Sequence, residues 1–478
     1  MEPTLRQKVL LGLSWSAGLK FLGQAASWII TIVVMRKLSP QDYGLMGMAG
    51  VIITYVARIN ELGLGAAIIQ AEVVDERIKS QIFGLLIIVN CGLFLLCFLL
   101  APIISTFFSE PRLVPIVRLL ATQFVLASFT IIPQSLIARD MLFKERSIVS
   151  LLALIAGSLT TLALALAEWG VWSLVWGSLI LDFFMVAGLN IIKPCLFLPN
   201  FSLKGMGRII SFGGYVTVSR IIWAFYSQAD VIIVGKLLGQ RLLGFYSVAI
   251  NLASLPMEKI SGIINQVAFP AFASIQTDAE TAASHFLKAV RLMSLMAFPV
   301  LWGISSISAD LVDTLLGDKW VNVVVPLQTI SLVIPVRMVS NLMSPMLLGL
   351  GRADVQLFNV IVYSLVLPIG FLLGTRWGIA GVSMVWTTMF PLAFLFNMSR
   401  AVRVVKMSLY DVIRQMIVPF AAAVIMYIAV GFLRAGIPDT NQIIRLILCV
   451  IAGAVVYTSL IIIFAKDSYR EALALIRN

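Results

Sequence analysis

Apolar residues along this chain neither alternate nor recur as the narrow stripe of a soluble helix. They run in blocks of about 20 residues or more, the length at which a helix spans a bilayer. Fourteen blocks can be marked, at roughly 11–35, 44–66, 81–107, 114–137, 147–167, 170–192, 209–234, 243–268, 288–309, 323–349, 355–375, 378–398, 411–433 and 442–465. The turns between them are short. The longest polar stretch, Ser274 to Ser284, has room for a small helix or turn and no more. The first block is too long for the core of a signal peptide, so we read it as a retained span. The pattern predicts an all-α polytopic membrane protein whose even span count puts both termini on one side.

The blocks repeat. TIVVMRKLSPQDYGLMGMA (Thr31 to Ala49) and QADVIIVGKLLGQRLLGFYSVA (Gln228 to Ala249) each pass from an apolar run through Lys-Leu and a short turn to a glycine, Gly44 or Gly244, in a second run. The turn EWGVWSLVW (from Glu168) is similar to RWGIAGVSMVW (from Arg376), and Pro133 followed by Arg139 matches Pro345 followed by Arg352. Three landmarks in the same order imply two six-helix bundles. Because six is even, the halves keep one orientation and are related by a pseudo-two-fold axis along the membrane normal. The expected division is an N-terminal bundle over 1–193, an interfacial linker over 194–208, a C-terminal bundle over 209–404, and two extra helices with a tail over 405–478.

Composition agrees, with 60% of residues hydrophobic and 12% charged, far from the balance of a soluble domain. Cys91, Cys97, Cys195 and Cys449 lie in or beside apolar runs and give neither a disulfide framework nor metal-ligand spacing. His285 stands alone, so no metal or other cofactor is expected. The net charge of +12 is spread over many loops instead of one face, which argues against nucleic acid. Of the 35 Lys and Arg, 21 fall on the side of the N-terminus and ten on the other. By the positive-inside rule both termini are cytoplasmic.

Four cations remain after that count and lie deep within the blocks: Lys20, Arg220, Lys259 and Arg337. Lys20 and Arg220 stand 200 positions apart at equivalent places in the repeat, each roughly 13–17 Å deep. Arg58 and Lys259 form a looser pair. An ionisable group within a span faces a cavity or a partner, and the acids read as internal to the spans are just Asp230 and Glu258. An excess of buried positive charge suits an anionic ligand such as a pyrophosphate. Each residue also has a structural alternative. Lys20 can snorkel to the interface, Glu258 and Lys259 can pair with other helices, Arg337 can anchor on a carbonyl, and Asp230 can cap its hairpin. Gln24, Asn60, Gln123, Asn251, Asn265, Gln266 and Asn341 can bond sugar hydroxyls or glue helices together.

RKLSPQDYGLMGMA (Arg36 to Ala49), ELGLGAAIIQ (Glu61 to Gln70), ADVIIVGKLLGQRLLGFYSVA (Ala229 to Ala249), FPAFASIQTD (Phe269 to Asp278) and GDKWVNVVVPLQ (Gly317 to Gln328) together resemble the Wzx-type polysaccharide repeat-unit flippases. These belong to the multidrug/oligosaccharidyl-lipid/polysaccharide superfamily, and the resemblance is to its colanic-acid and succinoglycan exporters. It implies two facing six-helix bundles, a cationic central cavity, and a lipid-linked substrate, undecaprenyl-pyrophosphate oligosaccharide, moved across the bacterial inner membrane by alternating access. Such a role makes membrane lipids and the polysaccharide polymerase and chain-length machinery its partners. The cavity cations are then Lys20, Arg220, Arg58, Lys259 and Arg337, with Asp230 and Glu258 as candidates for ion coupling.

A lipid II or multidrug exporter of the same superfamily is the alternative; the drug exporters generally use cavity acids, and this chain offers mostly bases. A membrane polymerase or ligase, the reading from another class, needs a substantial external loop, which the sequence lacks, so no enzymatic role is expected. Reporter fusions test the topology: Asn478 and Arg6 should report as cytoplasmic and Asp439 as external. An external signal at Asn478 reverses the orientation.

Overall fold

The computed structural model describes residues 27–57, 75–140, 142–195, 198–202, 227–275, 278–437 and 442–466, with Gly23, Asn60, Leu64 and Ile68. All regular structure among them is helical. The chain forms two compact units, Met1–Gly244 and Phe245–Asn478.

In the first unit, α1 (27–37) and α2 (Pro40–Ala57) make the predicted hairpin. Its turn is fixed by Ser39 and Asp42. The Ser39 amide and hydroxyl donate to the Asp42 carboxylate at 2.9 and 2.6 Å, and the Asp42 amide donates back to the hydroxyl. This reciprocal capping satisfies helix-start amides that would otherwise be unbonded near the membrane. Helix α3 (Glu76–Phe108) starts at Asp75, which accepts from the Ile78 amide, and ends at Ser109 in the left-handed region. The fourth span is broken into α4 (Leu113–Leu120), α5 (Thr122–Ser128) and α6 (Ile131–Arg139), bent by 43° before the last piece. Helices α7 (Phe143–Leu166) and α8 (Val171–Ile192) pack as an antiparallel pair. The linker returns onto α3: the Asn200 amide donates to Ser80 O, and Gln81 donates to Ser202 O. The unit closes with the start of α9 (Ala229–Ser274), broken at Gly239.

The second unit holds the rest of α9, α10 (Ala279–Leu315), a 3-10 turn (Asp318–Val323), α11 (Val324–Asn341), α12 (Met343–Gly349), α13 (Ala353–Gly374), α14 (Gly378–Val404), α15 (Leu409–Gly436) and α16 (Gln442–Phe464). The landmarks of the repeat recur as backbone geometry. Gly170 and Gly378, in the EWG and RWG turns, both take φ near +60°, a conformation open to glycine with little strain. Pro133 and Pro345 both sit in the short last piece of a broken fourth span, α6 and α12.

Among the described residues nine helical segments are long and apolar enough to cross a membrane, or ten with the bent α4–α6 pair. One of the nine, Ala353–Val404, contains two expected spans, joined at the 3-10 turn Thr375–Trp377.

The charge pattern needs one correction. The helices contain more acids than Asp230 and Glu258, since Asp182 lies in α8 and Asp310 in α10. Asp310 is fully buried and ion-pairs with Arg434 of α15, at 2.7 Å, and with Arg445 of α16. Arg445, counted above as a loop cation, is itself buried. It reads as a turn residue because it lies in the first turn of its helix, and burial is tolerable there because the counter-charge comes from a distant helix. This triad ties the last two helices to α10, beside an apolar core of Leu295, Phe298, Ala423, Met426, Cys449 and Tyr457.

Asp310→Asn keeps the shape but leaves Arg445 buried without its counter-charge, a loss of about 3–5 kcal/mol. Thermal unfolding of the purified protein should therefore show a marked drop for D310N, largely recovered in the double variant with Arg445→Gln. An unchanged melting temperature in D310N would show that the triad contributes nothing to stability.

Candidate functional site

The two repeat hairpins meet inside the first unit, and they do so reciprocally. A Cβ on Gly44 would overlap the backbone carbonyl of Gln240, and a Cβ on Gly244 would overlap that of Pro40. The partners are related by the same 200-residue offset, so each repeat offers a glycine to the other's turn. Glycine is required here because no side chain fits where two backbones approach this closely. Polar contacts surround the clasp. Arg112 bridges from Glu110, at 2.9 Å, to the Gln240 side chain, at 2.8 Å. Lys236 donates to Phe107 O and lies over its ring.

Asp230 is buried on the helix leading into this clasp, within electrostatic reach of Tyr55 on α2. It accepts from the Val231 amide at 2.8 Å. It stands nine residues before Gly239, roughly 13 Å along a helix, so it does not cap the hairpin; the chain reverses at Gly239, with φ +80°.

In the second unit Arg337 is half-buried, and its guanidinium stacks 4.1 Å above the Trp386 ring. An aromatic face thus supports it. A guanidinium needs less desolvation than an ammonium to stack this way. Trp386 is fixed in turn: its Nε1–H donates to the Tyr246 hydroxyl at 2.9 Å, and its ring lies against Phe371 and Phe390. Tyr363 stacks on Phe390 and shares a 3.0 Å hydrogen bond with Ser340. The result is a cation pre-oriented by a buried aromatic wall. Arg337 was legible as an intramembrane charge, whereas Tyr246 and Trp386 were not, because they come from α9 and α14, 140 positions apart.

Of the other predicted residues, Lys20, Gln24, Arg58 and Arg220 lie outside the described residues, as do the side chains of Glu258, Lys259, Asn265 and Gln266. Asn60 accepts at its carbonyl from the buried Asn90 side chain, at 3.2 Å. Gln123 is half-buried, and Asn251 and Asn341 are exposed.

The fold recurs in a solved structure. The solved structure of the lipid II flippase MurJ in an inward closed conformation matches 95% of this chain and 99% of its own, with a TM-score of 0.76 at 12% identity. The chain belongs to the polysaccharide biosynthesis protein family, whose model matches residues 33–325. Among its relatives are the lipopolysaccharide biosynthesis protein WzxC of Escherichia coli, 26% identical over 80% of this chain and 78% of the relative, and the succinoglycan biosynthesis transport protein ExoT of Rhizobium meliloti, 22% identical over 100% and 97%.

Alanine at Gly44 or Gly244 separates close approach from helix propensity. Gly50 of α2 has open space around its Cβ position, so Gly50→Ala should stabilise by about 0.5–1 kcal/mol. Gly44→Ala and Gly244→Ala should instead destabilise by about 1–3 kcal/mol through overpacking. Melting temperatures of the three variants read the difference in sign; a gain at all three positions would mean that the clasp is loose.

Proposed function

We propose that this protein is a flippase that moves undecaprenyl-pyrophosphate-linked oligosaccharide repeat units from the inner to the outer leaflet of the bacterial inner membrane. The match to the polysaccharide biosynthesis family over more than half the chain carries this reading. A relative named as a succinoglycan transport protein and the fold shared with a lipid flippase support it. The role is transport, without a chemical step. On this reading the chain makes fourteen spans with cytoplasmic termini, arranged as bundles 1–193 and 209–404 around the linker 194–208, with 405–478 as an appendix. The polysaccharide polymerase and chain-length machinery then receive the product.

The mechanism follows from charge and from the clasp. A ligand drives a conformational cycle only through different affinities for its two states. Lys20 and Arg220, repeat-equivalent cations at matched depth, repel each other, and a pyrophosphate bound by both removes that repulsion. Arg337, steadied on Trp386, adds a fixed positive charge, with Arg58 and Lys259 towards the cytoplasmic end. Gln24, Asn60, Gln123, Asn251 and Asn341 supply amides for sugar hydroxyls. The prenyl chain stays in lipid throughout. A clasp of backbone on glycine can part without unpacking interlocked side chains, which suits a contact broken once per cycle. Asp230, buried beside the clasp, and Glu258 are the acids placed to couple an ion.

Proteoliposomes loaded with a defined undecaprenyl-pyrophosphate oligosaccharide test the proposal. Wild type should expose the glycan to an external lectin or glycosidase. Lys20→Ala and Arg220→Ala should each lower the rate at least roughly tenfold without a loss in melting temperature, since removing an unpaired membrane cation need not destabilise. Arg220→Lys should fall between, having lost bidentate geometry. Normal rates in both alanine variants rule out the cationic cavity, and the absence of flipping by wild type rules out this substrate.

A further inference from the structure

Asn190 and Asn397 hold almost the same place in the two repeats, twenty residues after Gly170 and nineteen after Gly378. In the first unit the Asn190 side-chain amide is fully used. Its Nδ2 donates to Phe129 O at 2.8 Å and to Val186 O at 2.9 Å, and its Oδ1 accepts from the Cys195 amide at 2.9 Å. That last bond is possible because α8 ends at Ile192, which frees the backbone amide five residues past Asn190. Helix α14 instead continues to Val404. The Val402 amide, five residues past Asn397, lies inside the helix, where such groups bond the carbonyl four residues back.

The second repeat therefore satisfies only part of its asparagine. Asn397 is fully buried, and its Nδ2 donates to the main-chain O of Asn359 on α13, at 3.1 Å. Its Oδ1 has no hydrogen-bond partner among the described residues. Asn359, itself 2% exposed, has both ends of its side-chain amide in the same condition. Because both ends are affected, turning that amide over leaves the requirement unchanged. Helices α11, α12 and α15 pack against α13 or α14, and all three are described. Tyr363, one turn further along α13, shares its hydroxyl with Ser340.

Two acceptors and one donor on neighbouring residues, buried within a span, set a narrow requirement. Hydrocarbon cannot meet it, and each group left unbonded there carries a penalty. The Nδ2–H of Asn359 repels a metal cation, and the two carbonyl oxygens repel an anion. A water molecule has two hydrogens to give and a lone pair to receive, and buried waters make about three such bonds.

We propose that one water molecule is bound between Asn359 and Asn397, donating to both Oδ1 atoms and accepting from Asn359 Nδ2. It does for the second repeat what the Cys195 amide does for the first. Asn397 stands seven residues before the end of α14, roughly 10 Å along the helix. On the orientation given above, the water lies in the cytoplasmic third of the α13–α14 interface. The site lies wholly within the second unit and does not depend on what the protein transports.

A structure of the full-length protein in a lipid nanodisc, at a resolution that shows ordered water, tests the site directly. Density should stand at about 2.7–3.2 Å from the three amide atoms. Melting temperatures give an independent reading. Asn359→Leu removes two of the water's partners and strands Asn397 Oδ1, so it should lower the melting temperature by roughly 2–4 °C. The double variant Asn359→Leu/Asn397→Leu should recover most of that loss, because replacing all the polar partners together is nearly neutral. If the three atoms are simply unbonded, Asn359→Leu raises the melting temperature and the two single effects add. The proposal is overturned by that result, by density that shows the two amides bonded to each other, or by a site that fills with sodium when sodium replaces choline in the buffer. None of these readouts requires flipping, so failure here leaves the transport assay standing, and the converse holds too.

Discussion

Two backbones touch where the repeat hairpins cross, and much of the first unit is arranged to permit that contact. Glycine must stand at 44 and 244 because a carbonyl of the other repeat occupies the place of a side chain. Ser39 and Asp42 tie off their own turn internally, leaving the Pro40 carbonyl facing Gly244. Arg112, Gln240 and Lys236 hold the rim with contacts that water or lipid headgroups can replace. A membrane interior offers helices little hydrophobic incentive to associate, so close packing at small residues carries the weight. Such a seam is specific in register and shallow in depth.

The second unit works differently. Its interior is fastened by aromatic and ionic contacts between helices far apart in sequence: Trp386 to Tyr246, Arg337 over Trp386, and Asp310 to Arg434 and Arg445. These contacts resist separation because parting them strands a buried donor or charge. The repeat contact of the first unit thus rests on backbone against glycine, and the network of the second on buried donors and charges.

How much of this the sequence revealed depends on the range of the interaction. Helical content, the order of the spans and the internal duplication were legible because each is written in local composition, and the paired EWG and RWG turns reappear as matched glycine conformations. Helix starts at Asp75, Asp278 and Ser408 follow from capping chemistry within three residues. The Asp310 triad was not legible, because a carboxylate at the end of a hydropathy window looks like a loop residue until its partners on other helices are known. Arg337 was seen as a charge, but its aromatic support comes from α14. Asp230 was legible as an acid within a span, whereas the reversal of the chain at Gly239, nine residues further on, shows only in the backbone. The glycines at 44 and 244 were noticed as repeat markers, and only the three-dimensional fold shows that each faces the other's turn.

The Asp310 triad also bears on how the chain is made. Arg445 lies 135 residues beyond Asp310, so α10 emerges from the ribosome long before its counter-charges exist. Until the final pair of helices arrives, the carboxylate must wait at the membrane surface, be protonated, or sit unpaired in lipid at a cost of several kcal/mol. Arg445 has the same difficulty in reverse, and entry as a hairpin against α10 resolves both at once. Helices α15 and α16 are therefore the last step in closing the second unit, and a truncation before α15 leaves Asp310 without Arg434 and Arg445.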